Sequence, residues 1–481
     1  MSSLACSLHR ESFEIVRLLQ QTTRLPNAGR SERVSVEYEW CDAIEKGGCS
    51  RLPIAGWESN LKRFAAILLI AAFIVTTLAI GPTLAQQKTT ITFWHAMGAQ
   101  LGKTIDTLVD EFNSQNPDVF VKAEYQGNYG ALSQKLVGSL VARKPPTVAQ
   151  VYGNWAAEYI TSNELVPMEK FIKGPNGLST LEIDDIWEGL RAGCVFDGVW
   201  YTMPFNKSVY VLVYNETALK GAGIAKPPAT WQELVTAAKA LTIKDGDKIV
   251  RYGFGLRPNV DYLACFFFSA GGAWLDASGK VTVNSPEGVK ALQFMADLLS
   301  KYKVSYYVPG YLDADFGAGK VAMYLTTSPG LSYTGQSVAG KFEWSAAPLP
   351  YMESKFKSTP VAGTDLAIFA RASEKEQQAA WKFVKWLVEP RQTARWAIGT
   401  SYIPVRKSAM HLEVMKRWFA EHPREEQSLQ QLRYIKYDPN ISAWSNIRGD
   451  ISEAVEKVFL GKATAKEALD AAVVKANARL K

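Results

Sequence analysis

The sequence predicts an α/β fold whose strands pair in parallel and whose helices cover the sheet. Three observations carry this expectation. Strand-like and helix-like segments alternate from Thr89 onward: TTITFWHA, LGKTIDTLVDEFNSQNP, DVFVKAEYQG, ALSQKLVGSLVARKPP and TVAQVYG. Strand-to-strand connections of this length are right-handed helical crossovers, which make the strands they join parallel. Beyond residue 85 of the 481-residue chain only Cys194 and Cys265 remain; two distant cysteines with no CxxC or Cys/His spacing form neither a disulfide framework nor a metal site, so a buried core must hold the fold.

The elements follow in order. The first strand ends in His95. The helix after it carries Leu101, Ile105, Leu108, Val109 and Phe112 at helical spacing and stops at Asn116-Pro117. The second strand alternates with period two, a second helix runs to the Pro145-Pro146 pair, and a third strand closes in Tyr152-Gly153. In TMPFNKSVYVLVYNETALKGAGI, Asn206-Lys207-Ser208 interrupts two extended apolar pieces, with Lys207 read as a solvated charge. PPATWQEL opens a helix with Thr230 as N-cap, Trp231 at the first position and Glu233 at the third, a capping box. PEGVKALQFMADLLSKY is a helix and AMYLTTSPGLSYTG a small-residue segment. EQQAAWKFVKWLVEPRQTARWAIG gives helices rich in buried aromatics; SYIPVRKSA follows, and a last helix starts near Ala463.

The N-terminal part reads separately. Lys62-Arg63 precedes an uncharged run from Phe64 to Ile80, then Gly81-Pro82 and Thr83-Leu84-Ala85. This is the order of a signal peptide, with cleavage expected after Ala85 and an uncleaved membrane tether as the rival. Residues 61–85 are therefore assigned to export, and 1–60 to a leader or an extension of the reading frame outside the fold. From Gln86 on, the chain is long enough for two ordinary domains.

Charge and motifs exclude several classes of function. Of 54 Lys+Arg and 47 Asp+Glu, the first 85 residues hold 9 and 8, which leaves 45 against 39. This mild positive excess is scattered, so no nucleic-acid tract is formed. His9, His95, His411 and His422 are the four histidines, and no His-x-x-x-His or Gly-x-Ser-x-Gly is present. Asp184 and Asp185 are neighbours in sequence and do not face each other on a helix, which makes them a poor catalytic pair. A nucleophile, a base and an orienting group within reach are not signalled. The expectation is no catalysis, no metal and no cofactor. Ligands of open parallel sheets sit beyond the carboxyl ends of the strands, where His95, Gly127-Asn128-Tyr129 and Tyr152-Gly153 fall.

FWH after the export segment, GNY, QVY, MPFNxSxxVLxYN, PPxTWQEL and a late GTxYIPV occur in that order. With this series the chain, from about Ile91 to its end, resembles the extracellular solute-binding proteins (family 1) of ABC importers, and within them the branch that binds sn-glycerol-3-phosphate. The resemblance implies a two-lobed periplasmic-binding-protein fold of type II, each lobe a mixed sheet flanked by helices, joined by hinge crossovers. The crossings are expected near Asn206 to Tyr210, Val361 to Thr364 and Arg406 to Leu412. Lobe 1 would comprise 86–207 and 363–408, and lobe 2 would comprise 208–362 and 409–481. The implied protein is a periplasmic monomer that captures glycerol-3-phosphate, or a related glycerophosphodiester or sugar phosphate, and delivers it to the transmembrane subunits of an ABC permease. A neutral-sugar receptor is the alternative, and a periplasmic hydrolase the remaining class.

The same resemblance proposes a site. Ser208 matches the phosphate-side serine, Gly363 a glycine whose amide approaches the ligand, and Thr327 a hydroxyl donor. Arg448 matches the ligand-binding arginine, Tyr129 and Tyr402 the two tyrosines, and Trp231 a tryptophan walling the pocket. A phosphate ester suits this set, because its oxygens call for amide, hydroxyl and guanidinium donors. Each residue also has a plainer reading: Arg448 pairs with Asp450 or another acid, Trp231 packs inside its lobe, and His95 orders the strand end beneath the pocket rather than touching ligand. One departure stands out. Where the family has glutamate after QVY, this chain has Gly153 followed by Asn154. The change removes charge-assisted acceptors worth about 1.5–3 kcal/mol each and vacates space, favouring a bulkier diester, a sugar phosphate or a neutral sugar stacked on Trp155. Asn154 can offer hydroxyls both a donor and an acceptor.

Overall fold

The structure is a computed structural model that describes residues Lys88–Leu480. The leader and export segment assigned to 1–60 and 61–85 lie outside the described residues. Among the described residues no helix is long and apolar enough to cross a membrane.

Ten strands form the main sheet: β1 (Thr89–His95), β2 (Val119–Tyr125), β3 (Val148–Val151), β4 (Met203–Asn215), β5 (Phe254–Leu256), β6 (Ser305–Tyr307), β7 (Met323–Thr327), β8 (Trp344–Ala347), β9 (Thr359–Ile368) and β10 (Ile435–Lys436). Their order is β6-β5-β7-β4-β9-β3-β1-β2, with β8 also on β4 and β10 on β9. The strands β2, β1 and β3 are parallel, as the strand-helix-strand alternation predicts. β9 joins them antiparallel, so this half is a mixed sheet. In the other half β5, β6 and β7 are parallel, and β7 and β8 run antiparallel to β4.

Local signals account for most elements. The helix Ala99–Gln115 buries Ile105, Leu108, Val109 and Phe112, the four that helical spacing singles out with Leu101. The next helix, Tyr129–Val141, begins earlier than its apolar pattern suggests, because the Asn128 side chain caps it by accepting from the Ala131 amide. Thr230 and Glu233 form the expected capping box around the start of Trp231–Leu241. The segment AMYLTTSPGLSYTG, read only as small residues, resolves into β7 and the helix Gly330–Val338.

The stretch around Asn206-Lys207-Ser208 departs from expectation. No interruption exists: β4 runs unbroken for 13 residues, and all three polar side chains are buried. The reason is topological. Phe205 and Val209 pack in one apolar core with Phe93, Phe383 and Trp396, whereas Tyr210 and Val211 pack in a second with Phe254, Phe266 and Trp444. The strand thus leaves one core and enters the other between Val209 and Tyr210, and it carries its polar residues through the protein. β9 lies antiparallel beside it from Met203 to Val209, and just beyond, the Thr359 hydroxyl binds the Tyr210 backbone. A third passage is more drawn out: Val405 belongs to the first core, Met415 and Phe419 pack with Ala394 and Ala397, the Arg424 Nε donates to the Trp344 carbonyl at 2.8 Å, and Ala443 packs against the second core.

Lys207 is not a solvated charge. Its Nζ lies 2.7 Å from Asp365 Oδ1 across the two crossover strands, and the side chains keep only 5% and 1% of their surface. Burial pushes the Asp365 carboxyl up, and the Lys207 ammonium opposes that shift. Such a pair is weak evidence for net stability, but breaking it strands a charge in the interior. One ladder step away from the bulge at Thr364/Asp365, Gly363 faces Lys207 with φ +91°. A Cβ there would stand 1.9 Å from the Asn206 carbonyl oxygen, so both its backbone angle and its surroundings require glycine. Gly363→Ala should therefore destabilise the protein by about 3 kcal/mol or more, the sum of a strained dihedral and a forced strand separation. Urea denaturation checks this as a fall in midpoint at unchanged slope.

Candidate functional site

The first wall of the crevice between the cores is built from hydroxyls fixed in a network. Tyr129, first residue of its helix, receives a hydrogen bond on its hydroxyl from Asn206 Nδ2 at 2.8 Å, and that hydroxyl lies 3.3 Å from the hydroxyl of Tyr402. Asn206 Oδ1 in turn accepts from Gln150 Nε2 at 3.0 Å and from Thr364 Oγ1 at 2.5 Å. Tyr402 lies flat on Trp396, centroids 5.7 Å apart. Tyr152 meets Tyr129 and Trp155 edge-on, at 5.1 and 5.0 Å. Burial, then the neighbouring phenols, push the Tyr129 hydroxyl far above its ordinary pKa, so these groups stay protonated and can each donate and accept.

The opposite wall carries ions. Arg448, on the helix Trp444–Phe459, pairs through Nη2 with Asp261 Oδ1 at 2.5 Å and through Nη1 with Asp438 Oδ2. Trp274 Nε1 donates to the other Asp438 oxygen at 3.1 Å. Burial alone would lower the Arg448 pKa, but the two carboxylates overcome it and hold the guanidinium more firmly charged than usual. Arg257 lies 4.6 Å from the Tyr311 ring centre and 6.0 Å from that of Tyr262, and its Nε is buried without a partner. The two walls sense each other. Burial first, then the fields of Tyr402 and Asp261, raise the Tyr152 hydroxyl, with Arg448 opposing. Direct bridges close the rim: Asn154 to Ser445, Asn440 Nδ2 to the Gly193 carbonyl at 3.0 Å, and Ser332 to Ser401 at 3.1 Å.

The residues singled out from sequence divide into three groups. Tyr129, Tyr402, Gly153, Asn154 and Arg448 come together at the crevice. Arg448 takes the pairing alternative, with Asp261 and Asp438 as its acids; Asp450 binds Arg479 instead, at 2.6 and 3.1 Å. Gly153 opens the helix Gly153–Thr161, and a Cβ there would fall 2.4 Å from Asn440 Oδ1, so the missing side chain makes room for the segment holding Asn440. Ser208, Gly363 and Thr327 line the crossover itself: Ser208 pairs with Ala362, and Thr327 with Tyr210. Beside Thr327, Ser328 keeps a buried hydroxyl with no partner. Trp231 and His95 stand apart. The Trp231 indole stacks on Phe294 at 4.5 Å and donates to Ser269, inside the second core. His95 lies between the rings of Phe93 and Tyr125. Asp185 holds Arg406 and Ser408.

Sequence reasoning missed Arg257, Asp261, Asp438 and Tyr311. No motif announces them, because three separate segments bring them together; the Asn259 cap placing Asp261 in the first turn of the helix Val260–Ser269 is the nearest local signal.

Two α/β lobes on shared crossover strands, with buried hydroxyls on one and paired ions on the other, are the architecture of a solute-binding protein. Residues 107–423 match the family described as bacterial extracellular solute-binding protein, and the chain belongs to that family. The sn-glycerol-3-phosphate-binding periplasmic protein UgpB of Escherichia coli (strain K12) is 28% identical over 435 residues, 85% of this chain and 97% of that protein. Among solved structures, UgpB from Mycobacterium tuberculosis in complex with glycerophosphocholine superposes with TM-score 0.72 at 24% identity, over 82% of this chain and 98% of that one. The cyclic alpha-maltosyl-1,6-maltose binding protein of Arthrobacter globiformis gives 0.71 at 24%, over 82% and 99%. These likenesses bear out the two-lobed fold.

His95 has a measurable signature of its own. Burial pushes its pKa down to about 4, against a weaker upward pull from Asp106. The Met97 amide donates to Nδ1 at 3.3 Å, which requires the neutral ring. An unfolded chain protonates this group below its ordinary value near 6.5, whereas the folded one resists until about 4. Stability is thus full above pH 6.5 and drains away as pH falls toward 4, by about 3 kcal/mol from this residue. The stability advantage of wild type over His95→Gln should shrink by that amount between pH 7.5 and 4, as read by denaturant titration at both values.

Proposed function

We propose that the protein is the solute-binding component of an ABC importer that captures a glycerol-phosphate-derived solute, foremost a glycerophosphodiester, and hands it unaltered to the permease. The observation that carries this reading is the Arg448 guanidinium, whose side chain is still 28% exposed and whose field reaches the hydroxyl of Tyr152, beside Tyr129 and Tyr402. Guanidinium and phenol donors on two hinged walls suit phosphate oxygens, and closure binds them from both sides. The ligands of the Escherichia coli and Mycobacterium tuberculosis proteins, sn-glycerol-3-phosphate and glycerophosphocholine, support the same solute class. A neutral-sugar ligand is the second reading, favoured by the aromatic edges of Tyr152 and Trp155 and by the maltose-derived ligand of the Arthrobacter globiformis neighbour.

The rest of the proposal follows from that role. The protein binds without catalysis, acts as a monomer outside the cytoplasmic membrane after export through 61–85, and meets the permease with both lobes closed. The first lobe is 86–207 with 363–408 and the second 208–362 with 409–481, the last passage running on along both cores. Ligand closes the lobes by its higher affinity for the closed form.

A thermal-shift panel of glycerol-3-phosphate, glycerophosphocholine, maltose, trehalose and inorganic phosphate tests the solute class. A true ligand at a hundredfold excess over Kd adds about 3 kcal/mol of stability. Shifts with neutral sugars alone would replace the phosphate reading by the sugar one. Arg448→Ala should weaken an anionic ligand by about 2 kcal/mol or more, and an unchanged Kd in calorimetry would remove Arg448 from the site.

A further inference from the structure

The ion cluster of the crevice has an unusual balance. Arg448 and Arg257 bring two positive charges, and Asp261 and Asp438 bring two negative ones. Both ends of the Arg448 fork are engaged by these carboxylates. The cluster is not an internal strut of the Lys207–Asp365 kind, since Asp261 and Asp438 keep 36% and 32% of their side-chain surface. Arg257 and Asp261 lie at the start of one helix, Asp438 on the chain before another and Arg448 within that second helix, and only tertiary packing brings them together.

This geometry has a consequence for charge. A phosphomonoester near neutral pH carries close to two negative charges. On reaching Arg448 it meets a fork already occupied, with two carboxylates at its margins; Arg257, on the same wall, has a buried Nε without a partner. A phosphodiester brings a single negative charge, and the hydroxyls of a glycerol unit are donors for which the acceptor-only carboxylates are suited. Resting on the reading of the crevice as the solute site, we propose that Asp261 and Asp438 are specificity-determining residues: they neutralise Arg448 and accept ligand hydroxyls, so that the site selects a glycerophosphodiester over the corresponding phosphomonoester.

Calorimetric titration of the purified protein with glycerophosphocholine and with sn-glycerol-3-phosphate, at one pH and ionic strength, tests this. The wild type should bind the diester at least tenfold more tightly. Asp261→Asn and Asp438→Asn, each verified by its melt to be folded, should narrow that ratio at least tenfold, mainly by tightening the monoester. Equal wild-type affinity for the two ligands overturns the proposal without any variant, and leaves the solute class of the importer standing. An unchanged ratio in both folded variants overturns it as well, again leaving the broader reading intact. Binding of neither compound, with maltose or trehalose bound instead, sinks both readings together.

Discussion

The pairing of β4 with β9 is the constraint on which the rest of the molecule depends. Two long antiparallel strands share one backbone ladder from Met203 to Val209 and from Val361 to Leu366, and β4 runs on from it to pair with β7 and β8. Because neither strand can be pulled apart without exposing buried amides and carbonyls, the lobes remain hydrogen-bonded to each other however they move. The bulge at Thr364/Asp365 and the positive φ of Gly363 mark where the ladder departs from regular pairing. The Lys207–Asp365 ion pair crosses the same place, and the Cys194 thiol donates to the same carboxylate.

From that ladder the crevice inherits its precision. Asn206 belongs to β4 and Thr364 to β9, and their hydrogen bond continues through Gln150 on one side and Tyr129 on the other. The phenolic wall is thus tied to the hinge through side chains that are themselves buried. The ionic wall has a different character. Asp438 and Asp261 hold Arg448 from outside its helix, so its position depends on how loop and helices pack in the second lobe. One wall is rigid by hydrogen bonding to the crossover, the other by electrostatics.

The alternation of elements was legible in the sequence because local signals determine it: the spacing of Ile105, Leu108 and Phe112, the Thr230 capping box, and the proline-terminated helices. The polar triplet 206–208 misled, since a run of Asn, Lys and Ser between apolar pieces reads as a turn unless a strand is known to be buried on both sides. For the site, resemblance proposed Tyr129 and Tyr402, inside GNY and GTxYIPV, and Arg448. It did not locate Asp261, Asp438 or Arg257, because their meeting is a tertiary event with no periodicity in the chain. Trp231 shows the converse: a motif-matched position whose indole the second core absorbs through Phe294 and Ser269.

The two free cysteines among the described residues divide between the cores. Cys194 packs in the first and touches Asp365 Oδ1 through its thiol at 3.4 Å, while Cys265 packs in the second. Burial raises both thiol pKa values, which suppresses the reactive thiolate. Nature has therefore installed one silent chemical reporter per lobe: alkylation of each sulfur can occur only when its own half of the molecule comes undone, so the order in which the two react would record whether the halves melt separately or as one.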